Sequence, residues 1–310
     1  MHAAELAAGE HEWHLARLQA VLGAAGAAWQ LQSCREVDST NTELLRRVRA
    51  GLAQPCLLVA ERQTAGRGRL GRTWHTAICA TRGDVPALTF SVALPVQRPD
   101  WSGLSLVVGL AVVQAIQVLA GGPVAGLGLK WPNDVWREGR KLAGILIESA
   151  ALPNQTGMGG RWAVVGIGIN LDAPPEFATP AGGARGNAPP PVAGDGLRSW
   201  LGPHLSASAV LHALLPVLLG DLAQFDVHGF DPFQARFAAS DLLVGQAVWL
   251  SDGRVGSALG VSQNGALRVV VSGVETLVSS GEVSVRPATL APGAAAGAGH
   301  NPVSDSGRAA

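Results

Sequence analysis

Apolar positions along this chain change period several times, and each change marks an element. Between residues 14 and 22, Leu15, Leu18, Val21 and Leu22 fall on one helical stripe. Thr40-Asn41-Thr42-Glu43 has capping-box spacing ahead of Leu44, Leu45 and Val48, which predicts a strand end over 37–40 turning into a helix. That turn puts the hydroxyls of Ser39 and Thr40 beside the partnerless N–H groups of a helix start. Residues 55–61 and 87–94 read as strands, with a glycine- and arginine-rich loop over 66–72 between them. The longest apolar stretch, 104–119, is interrupted by Ser105, Gln114 and Gln117 and stopped by Gly121-Gly122-Pro123. It is shorter than the ~20 residues a bilayer span needs, so a buried helix is expected.

Apolar runs at 127–136 and 141–148 flank Arg137-Glu138-Gly139-Arg140, a hairpin signal that brings Asn133-Asp134 toward 141–144. Residues 162–171 form the next strand. Residues 172–199 are rich in Pro, Ala and Gly, and a stretch so long is expected to be a mobile cover; Trp200 beyond it either stacks on a base or anchors the following helix. Residues 206–225 are helical in pattern with a kink at Pro216, and Asp231-Pro232 reads as an N-cap followed by a first-turn proline. Past 241 come short β-rich runs, 246–250, 254–261, 266–271 and 282–286, divided by the hairpin dipeptides Asp252-Gly253 and Asn264-Gly265. The expected organisation is a helical extension (1–36), a main α/β (α+β) domain (37–240), a small C-terminal β-barrel (241–286) and a disordered tail (287–310).

Composition narrows the function. The 310 residues carry 23 basic and 23 acidic side chains, so no overall field recruits nucleic acid or an anionic membrane, and any basic site must be local. All but two of the basic residues are arginine, and the two lysines, Lys130 and Lys141, lie close together, as expected where a compact ammonium is required rather than a planar fork. Cys34, Cys56 and Cys79 form no paired framework and read as reduced, buried thiols. Residues 1–23, with Glu5, Glu10 and Glu12, lack the basic start and apolar run of a secretory leader, so a cytoplasmic location is expected.

The loop Gly66-Arg67-Gly68-Arg69-Leu70-Gly71-Arg72 matches G-x-G-x-x-G but suits a dinucleotide fold poorly, because Arg72-Thr73-Trp74-His75 follows where an apolar helix should open. Its glycines admit close approach of an anion and its three arginines can neutralise one. Further along come Lys130-Trp131-Pro132-Asn133-Asp134, then Arg140-Lys141-Leu142-Ala143-Gly144-Ile145-Leu146-Ile147-Glu148, then Val165-Gly166-Ile167-Gly168-Ile169-Asn170. Together with Asp38-Ser39-Thr40-Asn41 and Glu61-Arg62-Gln63-Thr64-Ala65-Gly66, this ordered set resembles the biotin protein ligase family, strongly over 37–170 and weakly over 231–286.

The resemblance implies a mixed sheet with helices, similar to class II aminoacyl-tRNA synthetases, and a Src-homology-3-like barrel behind it. It implies that biotin and Mg2+-ATP give biotinyl-5′-adenylate and that a lysine of a biotin carboxyl carrier protein, of acetyl-CoA carboxylase or a related carboxylase, receives the biotin. Carried over by position, Ser39, Thr40, Asn41 and Gln63 look like contacts to biotin, with Gly66, Arg67, Gly68 and Arg69 as the loop that wraps it and Gly144 as a close backbone approach. Arg67, Arg69, Arg72, Trp74, Asn133 and Asn170 resemble nucleotide contacts. Lys141, between the biotin carboxylate and the α-phosphate, joins Arg69 and Asp134 as the catalytic set; Asp134 is also a candidate Mg2+ ligand and base for the acceptor amine. A homodimer is compatible with the resemblance, and a DNA partner is not expected, since the residues before Val37 leave no room for a three-helix DNA-binding unit.

Blander roles are expected elsewhere. Trp131 and Trp136 read as strand packing, Glu148 as a solvated strand end, and His75 as no zinc ligand; Gly166 and Gly168 could mark only a backbone crossing. Residues 76–86 depart from the family by being longer and more polar. A lipoate or octanoate protein ligase shares the adenylate logic, and a nucleic-acid-binding module using Arg67, Arg69 and Arg72 is the non-enzyme alternative; the Gly-Arg-Gly-Arg and Lys-Trp-Pro-Asn-Asp runs favour biotin over the first, the neutral charge disfavours the second.

Overall fold

The computed structural model describes residues 12–27, 29–74, 85–152, 161–174, 193–250, 252–279 and 285–287. Strands β1 (Gln30–Val37), β2 (Cys56–Gln63), β3 (Ala87–Pro95), β4 (Leu127–Lys130), β5 (Asp134–Arg137), β6 (Arg140–Ala151) and β7 (Arg161–Asn170) form one mixed sheet in the order β1-β2-β3-β7-β6-β5-β4. Only β1 and β2 run parallel; the other neighbours are antiparallel. Helices α1 (Leu15–Ala27), α2 (Thr40–Arg49), α3 (Leu104–Leu119), α4 (Arg198–Leu201), α5 (Ala207–His228) and α6 (Gln234–Ala238) complete this part.

Period-two alternation decides which side chains each face receives. On β2, Leu57 and Val59 enter the core beneath α3 and α5, whereas Cys56, Leu58 and Ala60 pack with Leu44, Leu45 and Val48 of α2. On β7, Ala163, Val165, Ile167 and Ile169 take the first face, and Trp162 and Val164 the second. Gly166 and Gly168 continue that second row, so the α2 face loses its side chains toward one end of the sheet. Cross-strand partners share a face, and Lys130, Asp134, Gly144, Gly168 and Thr89 therefore line up across five strands.

Several elements differ from expectation. The cap of α2 is Ser39, whose hydroxyl accepts from Thr42 N, one residue before the capping-box reading, because Thr40 is already helical. The run 127–136 divides into two strands at Trp131-Pro132-Asn133, where the Trp131–Pro132 peptide is cis. The helix through Pro216 continues as one element to His228. Phe230, not Asp231, precedes the 3-10 turn Asp231–Phe233, with Pro232 in its first turn. By length and composition α5, and not the stretch 104–119 read as the longest apolar run, could cross a membrane; half of its apolar window is buried, and it packs against α3 and β3.

The C-terminal strands β8 (Ala247–Leu250), β9 (Val255–Val261), β10 (Leu267–Val271), β11 (Val274–Val278) and β12 (Val285–Pro287) make an antiparallel five-stranded sheet, ordered β11-β10-β9-β8-β12. Strand β11 was not expected; its signal is Ser272-Gly273, both at positive φ, which turns β10 back on itself. Trp131, fully buried, donates its indole N–H to Gly265 O at 3.0 Å, so this sheet backs the Pro132-Asn133 turn. Trp136 is buried as well, with Lys130 Nζ 5.3 Å from its ring centre, and both tryptophans pack as predicted.

The chain crosses between the two sheets at Asp241, beside β4: Leu129 N donates to Ser240 O and Leu242 N to Leu129 O. Asp241 Oδ1 accepts from Leu243 N at 2.8 Å, but Oδ2 is buried with no hydrogen-bond partner among the described residues. Burial pushes the Asp241 carboxyl above the ordinary carboxylate range, against the pull of the Leu243 and Val244 N–H groups. A folded-state pKa above the unfolded one contributes stability that is complete below the unfolded value and lost as pH rises through the folded value. Asp241→Asn is therefore expected to raise stability at pH 7 by about 1 kcal/mol, kept small by the buried amide N–H that replaces Oδ2. Near pH 3 calorimetry should find that gain gone.

Cys34 and Cys56 are free, buried thiols; burial pushes Cys34 up to about 11 and also raises Cys56, which makes both inert at neutral pH. Cys79, His75, most of 76–86, most of the proposed cover over 172–199, and 288–310 lie outside the described residues.

Candidate active site

Where glycine replaces side chains on the α2 face, the sheet opens into a cleft of ≈ 880 Å3 including its mouth. Ser39, Thr40, Asn41 and Gln63 line one end; Lys130, Asn133, Asp134 and Lys141 line the other; Arg67, Gly68, Arg69, Arg72 and Trp74 close over it. Of the residues expected at the site, only Gly66 and Asn170 are outside this lining. Gly66 is the hinge of the loop: its carbonyl accepts from Trp74 N at 2.9 Å, and a Cβ there would lie 2.4 Å from Trp74 O. Asn170 sits behind Lys141, its side-chain amide 3.3 Å from Lys141 O, and its own carbonyl accepts from Leu197 N.

The first end is a hydrogen-bonded set at the start of α2. Gln63 Oε1 accepts from Thr40 N at 2.8 Å, with Thr40 Oγ1 at 3.2 Å. Ser91 Oγ, from β3, is 2.7 Å from Thr40 Oγ1 and 2.6 Å from Asn41 Oδ1, and is fully buried. Since Asn41 Oδ1 only accepts, the single Ser91 proton belongs there. Ser91 was missed in the sequence, where it is one small residue in an apolar strand; its register opposite Gly166 brings it under the site. A Cβ on Gly166 would stand 2.3 Å from Asn41 Oδ1, so the glycine makes room for the amide and is more than a backbone crossing.

The second end owes its geometry to a bulge. Val135 faces Ala143 but Trp136 faces Lys141, so Leu142 is an extra residue on β6. Without it Lys141 would point to the face opposite Gly144; with it, Lys141 Nζ reaches Asp134 Oδ1 at 2.7 Å. The predicted meeting of Asn133-Asp134 with 141–144 is observed: Ile145 N donates to Asn133 O, and Asn133 Nδ2 to Ile145 O at 2.8 Å. Burial opposes the charge on Asp134, but Lys141 and Lys130 outweigh it and hold the carboxyl below the usual range. An ion-paired carboxylate of this kind orients Lys141 better than it takes a proton.

Above these groups the arginine loop doubles back, with Gly68 N donating to Arg72 O and Arg67 bridged to Thr73. Arg69 NH1 reaches Asn133 Oδ1 at 3.2 Å. Burial lowers the Arg69 pKa, Asp134 opposing and Arg72 adding to the shift, so the guanidinium is a desolvated cation at the cleft. The Trp74 indole rests on the glycine floor: a Cβ on Gly168 would meet it at 2.5 Å and one on Gly144 at 3.3 Å. Its N–H is buried with no hydrogen-bond partner among the described residues. Trp200 does not line the cleft; Arg137 lies 4.6 Å above its ring and it packs on the core, which is the anchoring alternative.

Glu148 is not a solvated end. It lies inside β6 on the α2 face, accepting from Asn41 Nδ2 at 3.0 Å and from Arg67 NH2 and NH1 at 2.9 and 3.1 Å. Among the described residues no group of three His, Cys, Asp or Glu side chains could hold a metal ion, and Asp134 is the one carboxylate lining the cleft.

Residues 33–170 match the model of the biotin/lipoate A/B protein ligase family. A biotin–[acetyl-CoA-carboxylase] ligase of Paracoccus denitrificans is 36% identical over 238 residues, 74% of this chain and 90% of that protein. One from Mycobacterium tuberculosis is 41% identical over 158 residues, 50% of this chain and 55% of that protein. The structure of a biotin protein ligase from Aquifex aeolicus in complex with biotin and ATP superposes with a TM-score of 0.63 at 28% identity, covering 83% of this chain and 99% of that one.

Proposed function

The chain belongs to the biotin/lipoate A/B protein ligase family, and on that premise we propose that it activates biotin with ATP and passes the biotinyl group to a carrier-protein lysine. The observation that carries this reading is the division of one cleft into a hydroxyl-and-amide end and a cationic end. A ureido ring offers one acceptor oxygen and two N–H donors, which suits Ser39, Thr40, Asn41 and Gln63. With the ring at the polar end, the acid reaches toward Lys141 and Arg69 at the other.

In the first step a biotin carboxylate oxygen bonds to the α-phosphorus and the bond to pyrophosphate breaks. Two anions must meet, so neutralisation and alignment supply most of the rate. Lys141, steered by Asp134, faces the meeting point; Arg67, Arg69 and Arg72 hold phosphate oxygens, and Asn133 and Trp74 border the nucleotide. Asn170 acts from behind, by fixing the Lys141 backbone. In the second step the acceptor amine bonds to the acyl carbon, the acyl–phosphate C–O bond breaks, and AMP and a proton leave.

A Mg2+ ion entering with ATP would supply charge neutralisation to the phosphate oxygens. With one lining carboxylate, the donors here fit an ion carried mainly by the phosphates and water, with Asp134 as the protein's contribution. The acceptor in this reading is a biotin carboxyl carrier protein, its chemistry needs no nucleic-acid or membrane partner, and the free thiols Cys34 and Cys56 suit a cytoplasmic location. Light scattering decides between one chain and a homodimer. Because β1 (Gln30–Val37) is a strand of the main sheet, the expected boundary at 37 moves toward the N-terminus: we assign 30–240 as the catalytic domain and 241–286 as the barrel.

ATP–pyrophosphate exchange with biotin, lipoate and octanoate offered separately tests the reading. Lipoate and octanoate cannot satisfy the polar end, so biotin is expected to lead by on the order of 10⁴-fold in kcat/KM. Equal exchange with octanoate would move the assignment to a lipoate or octanoate ligase.

A further inference from the structure

We infer that Glu148 is a positioning residue for the arginine loop, holding Arg67 ready above the cleft before any ligand arrives. This rests on the ligase reading for its consequence, though not for its geometry. The two Glu148 oxygens accept from both terminal nitrogens of Arg67, at 2.9 and 3.1 Å, a planar fork on a carboxylate. Thr42 Oγ1, from the first turn of α2, lies 3.4 Å from Arg67 NH1. Glu148 Oε2 also accepts from Asn41 Nδ2, whose carbonyl is fixed by the buried Ser91 hydroxyl. One carboxylate thus ties the loop to the sheet and to the polar end of the cleft.

The fork uses the terminal nitrogens, which leaves Nε and the outward N–H groups of Arg67 available to an anion. The Glu148 side chain is 21% exposed, so the pair is partly shielded from water. Arg67 is 46% exposed, and without that anchor the ligand must order a long side chain and its loop on binding. Pre-ordering removes that entropy cost and acts on binding more than on the chemical step. The anchor acts through Arg67 and touches no reacting atom.

Glu148→Gln separates this role from packing. Glutamine keeps one acceptor for Asn41 but replaces the other with an NH2 that confronts the donors of Arg67. In free protein, amide hydrogen exchange over 66–74 is expected to speed about tenfold in this variant, with 104–119 unchanged. In pyrophosphate exchange, KM for ATP and the dissociation rate of biotinyl-5′-adenylate are expected to rise on the order of tenfold, with kcat falling less than KM rises. Combined with Arg67→Ala, the same substitution should change these values less than about twofold, because its partner is already gone. Equal factors with and without Arg67, or unchanged loop exchange in the single variant, would overturn the inference. Absence of biotin-dependent exchange in the wild type would sink the ligase reading instead, and the amide exchange still decides whether Glu148 holds the loop.

Discussion

Lys141→Ala is expected to lower biotin-dependent ATP–pyrophosphate exchange on the order of 10³-fold, about 4 kcal/mol of transition-state stabilisation. The ammonium is held 2.7 Å from Asp134 and lines the cationic end, where negative charge accumulates as carboxylate meets phosphate. Biotin affinity, read by calorimetry, should change little, because the polar contacts of the ring belong to the far end of the cleft. Lys141→Arg should recover less than about a tenth of the activity. A planar guanidinium cannot place one compact charge at the Lys141 Nζ position 2.7 Å from Asp134 Oδ1. Exchange within tenfold of wild type in the alanine variant would remove Lys141 from the chemistry.

The second large effect is expected from Asp134→Ala. Both lysines of the chain flank this carboxylate, and removing it leaves two like charges without their shared counterion. Breaking a partly buried pair in this way costs about 1.5–3 kcal/mol of stability, and Lys141 also loses its steering group. Denaturant unfolding of the variant should show that loss at pH 7, with exchange activity reduced on the order of 10²-fold. The pH sign follows from a depressed folded-state pKa. The contribution of Asp134 is complete above the unfolded carboxylate value of about 4 and is lost as pH falls through its lower folded value. Wild type and Asp134→Ala should therefore converge in stability under strongly acidic conditions. Matching stability at pH 7 would show that the two ammonium groups do not need Asp134.

Much of this site is legible along the chain because its groups come in short runs. Gly66 to Arg72, Lys130 to Asp134 and Lys141 to Gly144 each carry their own spacing, and the hairpin signal at Arg137–Arg140 joins the last two. Ser91 and Glu148 are illegible for the opposite reason. Each is a polar residue within a largely apolar stretch of strand, and its partners lie 50 and 81 residues away in Asn41 and Arg67. Strand β11 is a plainer miss: it is short, mostly exposed, and announced only by Ser272-Gly273.

The order of apolar and polar positions determined by itself β2, β3, β6, β7 and the helices α2, α3 and α5, the cap region at Ser39-Thr40, and the gathering of anion-seeking groups in three runs, because those depend on backbone period and local hydrogen bonding. Tertiary structure alone decided that the extra residue Leu142 turns Lys141 onto the face of Asp134, that Gly166 and Gly168 become a floor beneath Asn41 and Trp74, and that Glu148 grips Arg67. A bulge reverses the parity of a strand, and strand register chooses neighbours far apart in the chain; neither is written in any window of residues short enough to read as a motif.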